Sequence, residues 1–220
     1  LTNMLIISIP MLLLSVLANK ISTEVIVDKS INSTVQGLLI VSRSIDSVLS
    51  QVEYLSGLVA TNDNLQKSLQ IPENNQYELL VNRSEVIKSL DSIVGDRNII
   101  YSVTIFNDDG VLFNSTHVDP HKISNINLKM ESLVKTVKEG KGKNIWISTR
   151  PISYYRGNTS IDCFSLYRVL INGLSGEAVG AIEINVTQDT ISRIFSISGH
   201  GEFQNILIIN EEGIVVSSAQ

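Results

Sequence analysis

The pattern of apolar and polar positions begins with a long apolar segment at the N-terminus. Residues 1–19 carry no charge and are mostly apolar, and about twenty such residues form a helix that crosses the hydrocarbon core of a bilayer. Residues 16–18, "VLA", would also suit the cleavage site of a secretory signal peptide. Because helical patterning continues beyond the apolar segment, the sequence favours a transmembrane helix over residues 1–19.

A stripe of apolar and small residues follows this segment. Its members succeed one another in alternating steps of four and three, the heptad spacing that keeps one side of a helix facing a partner. They are Ile31, Val35, Leu38, Ser42, Ile45, Leu49, Val52, Ser56 and Val59. The spacing predicts one long helix that leaves the membrane. Its stripe either pairs with the same helix of a second copy or packs on the domain that follows.

A polar segment containing Pro72 ends this helix. Apolar residues at helical spacing then predict a second helix over residues 77–96. Its apolar side comprises Leu79, Leu80, Val86, Ile87, Leu90 and Ile93. The chain up to residue 97 is therefore expected to be helical.

Strand patterns begin near residue 98. Two apolar runs flank Asp109 and Gly110, a pair that is typical of a tight β-hairpin turn. A short amphipathic helix is predicted at residues 128–140, and a last one at residues 187–195. Further strands are predicted at residues 144–150, 162–171 and 177–186. Five strands with an inserted helix predict an α+β module whose size suits one small domain.

The hairpin pattern occurs twice. "IFNDDGVLFNS" at residues 105–115 matches "IINEEGIVVSS" at residues 208–218 in its asparagine, acidic pair, glycine and flanking apolar residues. We expect the second copy to begin a repeat of the same module, and the chain to be a piece of a longer protein. The predicted organisation is a transmembrane helix (1–19), a helical stalk (20–97), a complete module (98–198) and a truncated module (203–220).

Composition argues against nucleic-acid binding and against a disulfide-stabilised scaffold. The net charge is −5, with 17 Lys and Arg residues and no basic run, so the chain lacks the clustered positive charge that nucleic-acid binding requires. The single cysteine, Cys163, excludes an intrachain disulfide framework. Cys163 lies in a strand-like run, which favours a small buried apolar side chain over a reactive thiol.

Four segments carry a family resemblance. They read "IDSVLSQVEYLSGLVATNDNLQKSL", "SEVIKSLDSIVGDRNIIYSVTIFNDDG", "FSLYRVLINGLSGEAVGAIEINV" and "ILIINEEGIVVSS". Together with the preceding apolar segment, they resemble the extracellular double Cache (PAS-like) sensor region of Gram-positive sensor histidine kinases of the YesM-like type. The resemblance extends over nearly the whole chain, and it rests on patterned segments rather than on one invariant motif.

The resemblance implies an extracellular sensor of a small molecule, or of a solute-binding protein, at the cell membrane. It also implies a homodimer in which a second membrane helix, a HAMP domain and an ATP-binding kinase core follow, and a response regulator as the partner of that core. Chemoreceptors and membrane-tethered AraC-type regulators have similar sensor regions, so both outputs remain alternatives. A secreted binding protein cleaved after Ala18 is a third.

No catalytic or metal-binding arrangement is predicted in these residues. "KEGKGKN" resembles a phosphate loop, but a predicted helix precedes it and a strand follows it, the reverse of the order that a Walker A motif requires. His117, Asp119 and His121 are too few to form a metal site without further ligands. The visible region is therefore expected to bind its ligand without catalysis and without a cofactor.

Aromatic and arginine residues alternate between residues 146 and 168. Rings with a few fixed charged groups are typical of a small-molecule pocket. The predicted ligand-binding residues are Trp146, Arg150, Tyr154, Tyr155, Arg156, Tyr167, Arg168 and, on the next strand, Glu183. The alternative interpretation places the rings in the core and the arginines on the surface. The Arg/Trp/Tyr/Asp pattern of amino-acid-binding double Cache domains does not align with this segment, so the sequence does not identify an amino-acid ligand.

Overall fold

The computed structural model describes most of the chain in eleven segments. They are residues 2–71, 76–95, 99–107, 110–115, 118–119, 135, 137, 144–153, 160–197, 206–209 and 215–219. The chain divides into two compact units, Leu1–Ser44 and Ile45–Gln220. The first unit is helical throughout its described residues, and the second contains the sheet.

The N-terminal helix α1 extends over Thr2–Ala60. The helical conformation predicted for residues 1–19 is therefore confirmed from Thr2 onward, as is the continuous long helix. Within the described part of the chain, no helix is both long enough and apolar enough to cross a membrane.

Five antiparallel strands form the sheet of the second unit, which confirms the predicted α+β fold. The strands are β1 (Ile100–Asn107), β2 (Gly110–Asn114), β3 (Ile145–Ile152), β4 (Ile161–Ile171) and β5 (Ala178–Thr187). Their order across the sheet is β2-β1-β5-β4-β3. The last of these five strands in the sequence, β5, therefore lies in the centre, between β1 and β4.

One face of the sheet packs on helices. Alternate residues of β5 on this face, Ile182, Ile184 and Val186, join a core with helical residues. The helical contributions include Val52, Leu55 and Val59 from α1 and Val86, Leu90 and Val94 from the helix over Gln76–Gly95. The stripe on α1 is thus used for packing between Val52 and Val59, as one of the two sequence interpretations predicts. In the first unit, Ile31, Val35 and Leu38 are about half exposed.

The segment between the two long helices contains one element that the sequence patterns do not indicate. A short helix α2 (Asp63–Ser68) begins after Asn62, whose side-chain Oδ1 accepts a hydrogen bond from the Leu65 amide at 3.1 Å. Helix α3 (Gln76–Gly95) then follows as predicted. Leu80, predicted on its apolar side, is exposed to solvent instead.

The C-terminal elements agree with the predicted order. Helix α4 (Gln188–Ile197) follows β5 directly, and strands β6 (Ile206–Ile209) and β7 (Val215–Ala219) pair as an antiparallel hairpin. The two related sequence segments therefore form hairpins of the same kind. Of the helix predicted at residues 128–140, Lys135 and Val137 are helical, and the remainder lies outside the described residues.

Candidate ligand-binding site

The sheet face away from the helical core carries two adjacent rows of buried polar residues. In the first row, Thr104, Glu183 and Tyr167 stand opposite one another on β1, β5 and β4. Directly opposed residues of antiparallel strands project to the same face. All three side chains are fully buried. In the second row, two residues further along each strand, Ser102, Asn185 and Ser165 are paired in the same way.

A charged cluster forms at the first row. The guanidinium of Arg150, on the neighbouring strand β3, donates to Glu183 Oε1 at 3.0 Å and to the Tyr167 hydroxyl at 2.9 Å. The Tyr167 hydroxyl in turn donates to Glu183 Oε1. Glu183 is fully buried, whereas the Arg150 side chain is 33% exposed. The buried carboxylate is therefore paired with a cation that is partly exposed to solvent, and this pairing offsets the cost of burying the charge of Glu183.

The second row forms a continuous chain of hydrogen bonds across three strands. Ser165 Oγ donates to Asn185 Oδ1 at 2.5 Å, and Asn185 Nδ2 donates to Ser102 Oγ at 3.0 Å. Buried side chains bonded in this way fix the relative positions of β1, β5 and β4. The first row therefore lies between the second row and the apolar residues Phe106, Ala181 and Val169 of the same face.

Two predicted site residues lie on the opposite face. Trp146 Nε1 donates to Glu53 Oε1 of α1 at 3.1 Å. Arg168 donates to Ser56 Oγ at 3.1 Å, and Ser56 is fully buried. The structure therefore brings Arg150, Tyr167 and Glu183 together and places Trp146 and Arg168 against the turn of α1 that contains Glu53 and Ser56. Tyr154, Tyr155 and Arg156 lie outside the described residues.

The sequence interpretation did not include the polar residues around the cluster. Ser102, Thr104 and Ser165 each occupy alternate positions in strands that are otherwise apolar on that face. Such alternation within a buried strand marks a polar stripe in the interior. That signal was available in the sequence, but without the pairing of β5 with β1 the three residues could not be assigned to one site.

The environment of Tyr167 raises the pKa of its phenol well above the usual value of 10.0. Desolvation by burial is the largest cause, and the negative charge of Glu183 acts in the same direction, while Arg150 opposes both. The unfolded chain releases this proton near pH 10, whereas the folded chain retains it to a higher pH. The contribution to stability is therefore complete below pH 10 and is lost as the pH rises through the folded pKa.

Above about pH 10, we expect the free energy of unfolding of the wild-type protein to fall with pH more steeply than that of Tyr167→Phe. The expected difference between the two slopes is about 1.4 kcal/mol per pH unit. Urea unfolding followed by fluorescence of the single tryptophan, Trp146, measures both slopes. The variant retains every other tyrosine, so it removes only this titration. Equal slopes for the two proteins would show that Tyr167 ionises as readily in the folded state as in the unfolded state.

Comparison with known proteins gives structural relatives only. No protein-family model matches the sequence, and no curated protein sequence matches it. The sensory domain of the Campylobacter jejuni chemoreceptor Tlp3 with bound isoleucine has a TM-score of 0.58 at 9% identity, covering 83% of this chain and 68% of that domain. For the sensor domain of the Vibrio cholerae histidine kinase DctB, the TM-score is 0.57 at 12% identity, with coverage of 86% and 66%.

A third structure is the ligand-binding domain of the Pseudomonas aeruginosa amino-acid chemoreceptor PctC in complex with GABA. Its TM-score is 0.55 at 15% identity, and the match covers 82% of this chain and 72% of that domain. This chain spans about two thirds of the length of these domains. At such low identity the likeness concerns the fold. The chain has a Cache-like fold, the fold of sensor domains from chemoreceptors and histidine kinases.

Proposed function

We propose that this chain is the extracytoplasmic ligand-sensing region of a membrane-bound sensor histidine kinase, of the double Cache, YesM-like type that the sequence resembles. The single observation that carries the proposal is the buried cluster of Arg150, Tyr167 and Glu183 on the sheet face opposite the helices. The Cache-like fold and the sensor domain of DctB support it. In the full protein, a dimeric kinase core would use ATP and a response regulator as its partners.

The cluster favours a zwitterionic ligand. Arg150 offers a partly exposed guanidinium, the side chain best suited to a ligand carboxylate. Glu183 offers a buried carboxylate beside it, suited to a ligand ammonium group. Tlp3 and PctC were solved with isoleucine and GABA respectively. An amino acid, α or ω, is therefore the ligand class that we propose for this site.

The two faces of β4 suggest how binding would reach α1. Tyr167 lies in the cluster, and the next residue, Arg168, donates to Ser56 of α1. Trp146 of β3 donates to Glu53 in the same helical turn. A ligand that draws Arg150 and Tyr167 towards itself would displace β4 relative to this turn. Binding shifts such an equilibrium only by its differential affinity for the two arrangements. Half-exposed Ile31, Val35 and Leu38 are consistent with pairing of α1 in a homodimer.

Calorimetric titration of the purified chain with L-isoleucine, GABA and the other common L-amino acids tests the proposal. We expect Arg150→Met to weaken the binding of the amino acid by roughly tenfold to a hundredfold, because one charge-assisted hydrogen bond is lost. Arg168→Met is the matched control. It is expected to bind as the wild type does, but to lose the ligand-induced change in hydrogen exchange of the turn at Glu53 and Ser56.

Two results would contradict the proposal. Wild-type affinity in Arg150→Met would remove the cluster from the binding site. Absence of binding to every amino acid tested would reject the zwitterion as the ligand class. Thermal unfolding of each variant establishes that it is folded before titration.

A chemotaxis receptor is the second candidate, because two of the structural relatives are chemoreceptor domains. The sensor mechanism would be the same and the output would differ. Reading the gene beyond the codon for Gln220 separates the candidates. A histidine-containing dimerisation helix with an ATP-binding domain is expected for the kinase. A long heptad hairpin would indicate a chemoreceptor, and a helix-turn-helix domain would indicate an AraC-type regulator.

A further inference from the structure

The two polar rows of the site differ in how completely their hydrogen bonds are satisfied. Asn185 bonds to both of its cross-strand neighbours, Ser165 and Ser102. Glu183 occupies the same central position in the other row, and it bonds to Tyr167 on one side. On the other side is Thr104, whose hydroxyl has no hydrogen-bond partner among the described residues. Within the two rows, Thr104 is therefore the side chain whose hydroxyl has no hydrogen-bond partner among the described residues.

The fold alone does not explain why a hydroxyl is buried at this position without a hydrogen-bond partner. Thr104 is fully buried, and a buried hydroxyl without a partner is unfavourable relative to an apolar group of the same shape. Valine has that shape and would suit the strand at least as well. Thr104 is also β-branched, so its side chain has little freedom to reach a more distant partner. A partner supplied by a bound molecule accounts for a threonine here.

We propose that Thr104 is a further ligand-contacting residue, whose hydroxyl accepts a hydrogen bond from the ammonium group that Glu183 holds. The inference rests on the proposed function and adds to it a residue and a selectivity. The Cβ atoms of directly opposed residues in an antiparallel pair are about 4.5–5.5 Å apart, so one nitrogen can lie within hydrogen-bond distance of both side chains. A primary ammonium has three N–H donors and satisfies both acceptors. A trimethylated ammonium has none.

Thr104→Val and Thr104→Ser test the role of the hydroxyl. Valine retains the shape and removes the hydroxyl, whereas serine retains the hydroxyl. In the absence of ligand, we expect Thr104→Val to have a melting temperature equal to or higher than that of the wild type. In calorimetry with the amino acid that the wild type binds most tightly, we expect the valine variant to bind roughly tenfold more weakly. The serine variant is expected to retain most of the affinity.

A second comparison tests the selectivity. The wild type is expected to bind GABA more tightly than the N,N,N-trimethyl derivative of GABA, and this preference is expected to shrink in Thr104→Val.

Two outcomes would overturn the inference. Equal affinity of wild type and Thr104→Val for the amino acid would show that the ligand does not contact the hydroxyl. A lower melting temperature of ligand-free Thr104→Val would show that the hydroxyl has a partner within the protein or a bound water.

These outcomes are separable from failure of the proposed function. Equal binding by wild type and Thr104→Val, together with weak binding by Arg150→Met, would reject Thr104 alone and leave the site in place. Unchanged binding by Arg150→Met would reject the site as a whole, and the role of Thr104 with it.

Discussion

Replacement of Gly180 by alanine is expected to destabilise the protein strongly. A Cβ atom at this position would lie 2.0 Å from the backbone carbonyl oxygen of Phe106. Neither group can rotate away, because both belong to the backbone of paired strands. The contact can be relieved only if β1 and β5 separate, and these strands carry Thr104 and Glu183 of the site.

We expect Gly180→Ala to lower the free energy of unfolding by about 4 kcal/mol, at the upper end of single-substitution effects. Chemical denaturation followed by Trp146 fluorescence measures this. Gly95→Ala is the matched control, since a Cβ at Gly95 meets no atom within 4 Å. It should change stability by less than about 0.5 kcal/mol. A Gly180→Ala protein as stable as this control would mean that β1 and β5 are far enough apart at Gly180 to accommodate a Cβ atom.

Replacement of Glu183 by leucine is expected to have the second largest effect. It removes the acceptor of the Tyr167 hydroxyl and the counter-charge of Arg150 at a fully buried position. Removal of one partner from a buried ion pair leaves the other uncompensated. Arg150 is one third exposed, so water can compensate it in part. We expect a loss of about 3 kcal/mol, towards the lower end of values for buried pairs.

Glu183→Gln is the control for shape, since glutamine keeps a carbonyl acceptor for Tyr167 while it removes the negative charge and replaces the other carboxylate oxygen by an amide NH2 group. It should lose about 1 kcal/mol. The double variant Tyr167→Phe with Glu183→Leu should lose less than the sum of the single losses, because the two side chains share a hydrogen bond. Strictly additive losses would show that Tyr167 and Glu183 contribute to stability independently.

Local sequence patterns were sufficient to predict most elements of the fold. The strands predicted at residues 162–171 and 177–186 differ by one residue at each boundary or less from β4 (Ile161–Ile171) and β5 (Ala178–Thr187). In β5, apolar residues alternate with polar ones because one face packs on the helices and the other carries the polar rows, and this alternation is visible in the sequence. Helix α2 was missed because its polar residues, beginning with the cap at Asn62, have the same composition as a loop. The central position of β5 depends on long-range pairing, which no local pattern records.

The arrangement of the candidate site could be predicted only in part, and the reason is geometric. Tyr167 and Arg168 are consecutive in a strand, so their side chains must point to opposite faces. They could not both line one pocket, and the sequence alone was enough to show this. Trp146 and Arg150 are four residues apart, which in a regular strand gives the same face. A β-bulge between Ile147 and Arg150 moves Arg150 to the other face, and no local pattern of residues predicts this bulge.

The central position of β5 has a consequence for the order in which the chain is made. Synthesis proceeds from the N-terminus, so β1 and β2 can pair as one hairpin and β3 and β4 as another before β5 leaves the ribosome. Until residues 178–187 emerge, each hairpin keeps an unpaired edge, the kind of edge that promotes association between chains. A nascent chain that stalls before this point therefore contains two separate hairpins, β1–β2 and β3–β4, without the strand that pairs with both.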